Sequence, residues 1–512
     1  MKSNHITSRE MRVLEVNAEY FGVTRLQLME NAGRGVSFEI DSRFKKNQKI
    51  AIFCGLGGNG GDGFVTARHL LSLGFDNVTV IIAGKGENIS HEAALTNWIA
   101  LQSLRESIKL QEVTDSSNIP LVEADVAVDA LLGTGTKGKI KPPILQLIAF
   151  INSLNAAKVA VDVPTGIESD TGEVLGNAVR ADITVTFHKA KKGLENSKKH
   201  VGKLIVRDIG LPPEMEMFAG PGDVLLSAGT RFPNAHKGDS GRLLVIGGSE
   251  VFSGAPALVS MAALRTGADI VYTAVPERTS HDIASMSPDF ITVKLEGNHL
   301  NPKNLATLKD YFNVVDAVAI GPGAGLHPET KAFMKACIEA VEAAGKPLLL
   351  DADGLKAFAE FKRTLKVPLV LTPHAGEYAI FAGNRLPEDF KARAQAVQKT
   401  AAEHGAVVLM KGQVDIVSDG ERVKLNFTGN PGMTVGGTGD VLSGIVGALL
   451  AQKVDPFEAA VAGAFVNGAA GDFVANQLGY HMVATDLLDF IPQLLNDPMS
   501  HMKVRKPSGK GA

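Results

Sequence analysis

Cysteine is almost absent: the 512 residues contain two, Cys54 and Cys337. They lie far apart and outside any metal-ligand spacing. That excludes a disulfide framework and a cysteine zinc site, and points to a reducing, cytoplasmic setting. A dominant charge sign is also missing. The 52 basic and 55 acidic residues leave a net charge of −3, so no global basic field attracts nucleic acid. Aromatics make up only 6%. The opening MKSNHITSRE has no apolar core and is not a secretory signal. The most apolar late stretch, VLSGIVGALLAQ, is short and broken by glycine, which predicts a buried helix and no membrane span. The polar, basic tail KVRKPSGKGA reads as a disordered end.

Glycine is plentiful, with 54 residues, and apolar residues reach 45%. The length exceeds one ordinary domain and suffices for two cores. Glycine-rich turns between apolar runs suit a wound α/β architecture. TSREMRVLEVNAEYFG predicts a helix with Thr7 or Ser8 as its cap, Glu10 close behind and Gly22 at its end. KIAIFC, NVTVIIAG, ADVAVDALLGTGTKG and AAKVAVDVPTG read as strands separated by helices. That alternation predicts a parallel sheet with its site at the carboxyl ends of the strands. Paired prolines and glycines in DIGLPPEMEMFAGPGD predict a linker. A second run follows: GRLLVIGGS, ADIVYTAVP, DAVAIGPG, KPLLLDADG, PLVLTPHAGE and AVVLMKG. The expected fold is α/β in two domains, a Rossmann-like three-layer αβα domain at 1–212 and a second αβα domain at 222–500.

In GLGGNGGDGF, Gly55, Gly57 and Gly60 match the G-x-G-x-x-G dinucleotide fingerprint. A redox Rossmann domain ends its second strand on an acidic residue. Here that strand ends IIAGKGEN, with Gly84 and Lys85 in the expected place and Glu87 late, so hydride chemistry ranks last. The glycines equally suit a tight turn, or a backbone approach to phosphate. Asn59 and Asp62 place oxygens inside the loop, suited to a cation or a sugar hydroxyl. Asp129, and Asp162 with Thr165, end two further strands. Each alone reads as a turn former or helix cap; three such ends in one domain favour a site. Gly133, Gly135 and Gly138 beside Lys137 and Lys139 form a second candidate phosphate cradle. Oxygen ligands suit a hard cation without choosing between alkali metals and magnesium.

NPGMTVGGTGDVLSGIVGALLA, residues 430–451, is the most informative stretch. Gly436, Gly437 and Gly439 free the backbone, Asp440 follows, and an apolar helix starts behind it. Helix-terminal N–H groups suit a transferring phosphate, and the carboxylate suits the hydroxyl that attacks it. A glycine turn capped by Asp is the plainer alternative. Lys411 and Gly412 follow a strand, either beside a nucleotide phosphate or ribose or in a solvated turn. His374 and Glu377 open a helical run, and Glu377 suits a hydrated magnesium near phosphates. Gly321, Gly323 and Ala255 read as small-residue turns, for close backbone approach or tight packing.

GLGGNGGDG, DALLGTGTKG and VDVPTGI together resemble the NAD(P)H-hydrate epimerase domain, over roughly residues 1–210. The resemblance implies a domain that binds NADH or NADPH hydrated on the nicotinamide ring and interconverts the R and S epimers. It implies potassium on Asn59, Asp129 and Thr165. It implies substrate contacts from Asn59, Gly60, Gly61, Asp62 and Gly63, from Gly133, Thr134, Gly135, Thr136, Lys137, Gly138 and Lys139, and from Asp162. Asp162 is the candidate acid/base. Over roughly residues 222–495, HKGDSGRLLVIGGS, GPG, TPHAGE, KG and GGTGD occur in the order of the ribokinase-like superfamily and resemble its NAD(P)H-hydrate dehydratase domain. That implies a ribokinase-like αβα domain in which ADP or ATP drives loss of water from the S-hydrate, by phosphorylation of the ring hydroxyl and elimination of phosphate. Asp440 would be the base and would touch substrate. Lys411, Gly412, Gln413, Val414, Asp415 and Gly439 would hold the nucleotide, with Mg2+. Ala255, Gly323 and His374 would contact the hydrated cofactor. The implied assembly is a homo-oligomer with small-molecule substrates and no nucleic-acid or membrane partner. Two alternatives stay open: a ribokinase-like kinase of a small molecule such as a vitamin precursor, with an accessory N-terminal nucleotide-binding domain, and a non-catalytic N-terminal module that senses NAD-type ligands.

Overall fold

The structure, a computed structural model, describes residues 4–227 and 234–505. Residues 1–3 of the opening stretch and 506–512 of the basic tail lie outside the described residues. The chain divides into two compact units, Met1–Met215 and Glu216–Ala512.

The first unit is built on seven parallel strands. Their spatial order is Lys109–Glu112, Val78–Ile82, Ile50–Cys54, Val126–Ala130, Ala157–Val161, Ile183–Phe187 and Lys203–Arg207. Ile50–Cys54 is buried throughout, as a strand covered on both faces must be. Strand alternation sends its side chains to opposite faces. Ile50, Ile52 and Cys54 join a core with the helices Ser8–Tyr20, Arg25–Asp41, Gly58–Ser72 and Glu92–Gln102. Ala51 and Phe53 join a second core with the helix Ile144–Ser153. Three layers result. The first helix carries the expected capping box: Thr7 Oγ1 accepts from Glu10 N at 3.1 Å, and the Glu10 carboxylate accepts from Thr7 N at 2.9 Å.

The second unit holds nine strands in the order Ile291–Leu295, Ile270–Pro276, Arg242–Ile246, Ala317–Ile320, Leu348–Leu350, Leu369–Leu371, Val407–Met410, Asp415–Ser418 and Val423–Asn426. The first seven are parallel, Asp415–Ser418 runs antiparallel to them, and Val423–Asn426 runs antiparallel to Asp415–Ser418. Leu244, Ile246, Val318 and Ile320 face one core. The apolar helix Thr438–Ala451 packs on the sheet and on the helix Gly254–Arg265. The fold class is thus α/β.

Both sheets reverse direction in the middle, and both reversals use the same contact. In the first unit the chain moves outward one way from Ile50–Cys54, then returns and adds Val126–Ala130 on the other side. A Cβ on Gly55 would lie 1.9 Å from Leu131 O. In the second unit the reversal falls between Arg242–Ile246 and Ala317–Ile320, and a Cβ on Gly247 would lie 2.2 Å from Pro322 O. Two strand-end turns touch backbone to backbone at each switch point, where open α/β sheets place their ligands.

Four expectations need correction. Asn59 and Asp62 lie in the helix Gly58–Ser72 and not in a loop. Ala255 sits in the first turn of Gly254–Arg265 and not in a free turn. Asp440 lies inside Thr438–Ala451, not ahead of it. In each case glycine lets the helix begin earlier than hydrophobic periodicity suggests. The expected linker is folded: Pro213–Met217 forms a 3-10 turn, and Pro221–Ser227 a helix that packs on Pro456–Leu478. Proline suits the first turn of a helix, and here it starts one instead of breaking the chain. The edge strand Lys109–Glu112, KLQE, escaped the reading because it is short, polar and largely solvent-facing.

Gly55→Ala is expected to destabilise the first unit by about 2–3 kcal/mol, because the new methyl meets backbone and not a flexible side chain. Gly57→Ala, with nothing within 4 Å, is expected to change stability by less than about 0.5 kcal/mol. Urea unfolding followed by the fluorescence of Trp98, the single tryptophan and a buried residue of this unit, reads both.

Candidate active sites

In the first unit, Asp129 is the fourth residue of its strand and fully buried. Thr165 closes on it twice, by Oγ1 to Oδ1 at 2.6 Å and by N to Oδ2 at 2.7 Å. Burial pushes the Asp129 carboxyl up to about 6, against the pull of those hydrogen bonds. Asn59 stands against Gly133, whose Cβ would lie 3.3 Å from the Asn59 carboxamide. The Asn59 amide nitrogen is buried with no hydrogen-bond partner.

A second group surrounds Asp162, which follows its strand directly. Asp162 pairs with Lys191 at 2.6 Å and accepts from the Thr186 hydroxyl at 3.0 Å. Asp62 and Glu15 lie in the same field. Burial, then the Asp162 charge, raises both: Asp62 well above the carboxylate range and Glu15 to about 7. One carboxylate paired with a lysine and two proton-holding carboxyls make an acid–base group. Such splitting of neighbouring carboxyls is how one site carries both roles.

The structure brings Asn59 and Gly133 together, and Asp129 and Thr165. Gly60, Gly61 and Gly63 turn inward: Cβ atoms there would meet Gly55 O, the Met29 thioether and Cys54 Sγ. Any ligand contact they make is through backbone atoms, and the Gly61 N–H is already taken by Gly57 O. The turn carrying Thr134, Gly135, Thr136, Lys137, Gly138 and Lys139 lies beside the site, with both lysines exposed and open space at Gly135 and Gly138.

In the second unit, Asp440, Ala255 and Gly323 line one cavity of about 520 Å³, together with Phe252, Asp353 and Lys356. Burial, then the Asp351 charge, raises the Asp440 carboxyl to about 7, while Lys411 pulls it down. Gly437, at φ 98°, starts the Asp440 helix with no side-chain cap, so its first-turn N–H groups remain available. Lys411 comes close to Gly439, where a Cβ would lie 3.3 Å from Nζ. Its ammonium is no solvated turn: it pairs with the buried Asp351 at 3.0 Å. Asp351 also accepts from the hydroxyls of Thr372 at 2.9 Å and Ser443 at 2.8 Å. Asp415 accepts from Gly412 N at 3.0 Å, closing the turn that carries Gln413 and Val414.

His374 does not line the Asp440 cavity. It caps the helix Ala375–Ala382, with Nδ1 accepting from Gly376 N and Glu377 N. Glu377 is buried and accepts from His374 N at 3.1 Å. The sequence reading missed Asp351, Lys191 and Glu15. Asp351 carried a usable signal, a carboxylate directly after the apolar strand in KPLLLDADG. Lys191 carried none, because the run HKAKK offers several lysines and only the fold buries one.

Two α/β units, each with polar groups converging at its switch point, define a two-site enzyme of nucleotide-type substrates. Residues 243–493 match the family model described as NAD(P)H-hydrate dehydratase, and residues 25–193 match the YjeF-related protein N-terminus. The bifunctional NAD(P)H-hydrate repair enzyme Nnr of Hyperthermus butylicus is 45% identical over 504 residues, covering 96% of this chain and 93% of that protein. The Methanothermobacter thermautotrophicus protein of the same description is 44% identical, over 95% of this chain and 94% of that one. A solved ADP/ATP-dependent NAD(P)H-hydrate dehydratase of Bacillus subtilis, co-crystallised with ATP and Mg2+, aligns with 55% of this chain and 98% of its own, at 27% identity and a TM-score of 0.47. This chain belongs to the bifunctional NAD(P)H-hydrate repair enzyme family, which joins an epimerase and a dehydratase. Among the described residues no helix is long and apolar enough to cross a membrane.

The raised Asp440 carboxyl has a stability consequence. A carboxyl that ionises near 7 when folded and near 4 when unfolded holds its proton more tightly in the folded state, so stability falls as pH rises toward 7. Asp440→Asn removes this penalty. Its stability advantage over the parent is expected to grow by about 1–2 kcal/mol from pH 5 to pH 8, after discounting for the partly open position. Differential scanning calorimetry at the two pH values measures it.

Proposed function

We propose that residues 1–212 are the NAD(P)H-hydrate epimerase and residues 222–500 the ADP-dependent dehydratase of the S epimer. The observation that carries this is the placement of Asp440. A carboxyl poised near 7 lines a cavity with Ala255 and Gly323, at an uncapped helix N-terminus beside Lys411. Asp440 accepts the proton of the ring hydroxyl as its oxygen attacks the terminal phosphorus of ADP, releasing AMP. Loss of phosphate from the phosphorylated ring then restores the dihydronicotinamide. The first-turn N–H groups and Lys411 face the developing phosphate charge. Asp351, Thr372 and Ser443 hold Lys411 in place. Gly412, Gln413, Val414, Asp415 and Gly439 frame the nucleotide, and His374, bridged backbone to backbone with Lys411, is the further substrate contact. Glu377 is the carboxylate next to Lys411 that would hold the water shell of Mg2+, which neutralises phosphate charge when bound.

In the epimerase, Asp162 takes the proton of the hydroxyl at the hydrated carbon as the C–N bond of that carbinolamine opens to an aldehyde, passes the proton to the freed nitrogen, and the steps reverse when the nitrogen closes on the opposite face. Asn59, Asp129 and Thr165 would hold K+; the unpartnered position of the Asn59 amide nitrogen fits this, since turning the carboxamide over puts its oxygen there. Asp62 and the turn from Gly133 to Lys139 surround the substrate. A cytoplasmic location and homo-oligomeric assembly complete this reading, and the two buried free thiols suit the former.

Two measurements test the assignments. With a mixed R/S NADH-hydrate sample, Mg2+, K+ and ADP, dihydronicotinamide absorbance is expected to recover fully, faster than spontaneous epimerisation allows. ATP in place of ADP is expected to be the poorer donor; a faster ATP arm reverses the donor assignment. Asp440→Ala is expected to cut S-hydrate dehydration by about 10²–10⁴-fold, while Asp162→Ala leaves that step alone and slows epimerisation. The parent dehydration rate is expected to rise about tenfold per pH unit below 7 and to level off above it, because the base must be ionised.

A further inference from the structure

Among the described residues, Lys191 is the only lysine or arginine that is buried, at 1% exposure. Its ammonium has three N–H bonds, and all three are engaged inside the protein. They reach Asp162 Oδ1 at 2.6 Å, Thr186 Oγ1 at 3.1 Å and Phe187 O at 3.0 Å. Thr186 in turn donates its hydroxyl proton to the same Asp162 Oδ1, at 3.0 Å. Oδ1 therefore takes one ion pair and one hydrogen bond, and no described donor reaches Oδ2.

The surroundings are equally fixed. Asp162 stands at φ 63°, in the left-handed region that a residue with a Cβ rarely adopts. Its N–H is tied to Val185 O at 2.7 Å. Ala190–Lys191 pairs in register with His5–Ile6, which pins the backbone that carries the lysine. The other carboxyls in this field, Glu15 and Asp62, are pushed up by burial, while Arg12 and Arg25 act on Glu15 alongside Lys191. The lysine charge also reaches Glu15 and Asp62, but of the three carboxyls Asp162 is the one in ion-pair contact with it. Stability gives no reason for the arrangement, because a buried ion pair is commonly matched or bettered by packed apolar side chains.

We propose that Lys191 is a positioning residue of the epimerase site: its ammonium, with the Thr186 hydroxyl, pins Oδ1 of Asp162 and leaves Oδ2 as the oxygen that exchanges a proton with the ring hydroxyl. This rests on the acid/base reading of Asp162. Lys191 itself touches no substrate, since it has no N–H left to offer.

The test uses the full chain with R-NADH-hydrate and no nucleotide, so that dehydration is silent. The rate of S-epimer formation is followed by chromatography above the spontaneous background. Lys191→Met is expected to lower kcat about 10²-fold with KM within about twofold, as loss of alignment does. Thr186→Val, which keeps size and loses the hydroxyl, is expected to lower kcat about tenfold. Asp162→Asn is expected to be at least as slow as Lys191→Met, and adding Lys191→Met to it is expected to cost nothing further. Trp98 fluorescence checks that the unit is folded. Wild-type kcat in Lys191→Met with an inactive Asp162→Asn overturns the positioning role and leaves Asp162 standing. So do losses that multiply in the double variant. Retained activity in Asp162→Asn overturns the Asp162 reading and this inference with it. Where Lys191→Met does not fold, Thr186→Val decides: wild-type kcat overturns the proposal.

Discussion

Both units depend on one steric constraint, the backbone contact at the sheet's switch point. Gly55 lies against Leu131 O and Gly247 against Pro322 O, at separations that leave no room for a Cβ. That contact draws two strand-end turns together where the strand order reverses. Each turn begins or abuts the loop or helix that carries the polar groups. In the first unit it brings the Asn59 helix against the Gly133 turn; in the second it sets the Gly323 turn beside Ala255. Without it the strands would still pair, but the crevice at their carboxyl ends would open and its groups would separate.

Each crevice is then tuned by burying carboxyls beside one lysine. In the first unit Asp162 receives the lysine, while Glu15 and Asp62 are left to hold protons. In the second, Asp351 receives Lys411, and Asp440 is left poised near 7. The two units share this logic with different side chains at different strand ends. One contacting lysine among several carboxyls favours unequal ionisation, because neighbouring carboxyls cannot all carry charge at low cost out of water. Proton acceptors and proton holders are thereby separated within one site.

The strands Ile50–Cys54, Val78–Ile82, Val126–Ala130 and Ala157–Val161 were legible because their apolar runs end abruptly in glycine or aspartate. The carboxylates Asp129, Asp162 and Asp440 were legible for the same reason. The polar edge strand Lys109–Glu112 and the closing strands Asp415–Ser418 and Val423–Asn426 were not, since the first has a single apolar residue and the other two are only half apolar. Helix starts at Gly58, Gly254 and Thr438 were misplaced because small residues carry little periodicity. Lys191 was invisible, because burial of one lysine among several is a property of the packed chain.

The sequence by itself determined the α/β class, the parallel order of most strands and the chemical types available at their ends. These follow from local hydrophobic runs and from glycine and aspartate at fixed offsets, which act over a few residues. The tertiary structure alone decided which groups meet. Asp351 and Lys411 are sixty positions apart and Asp62 and Asp162 a hundred, yet each pair shares one field. Ionisation depends on burial and on such long-range neighbours, and neither exists until the sheet has closed around them.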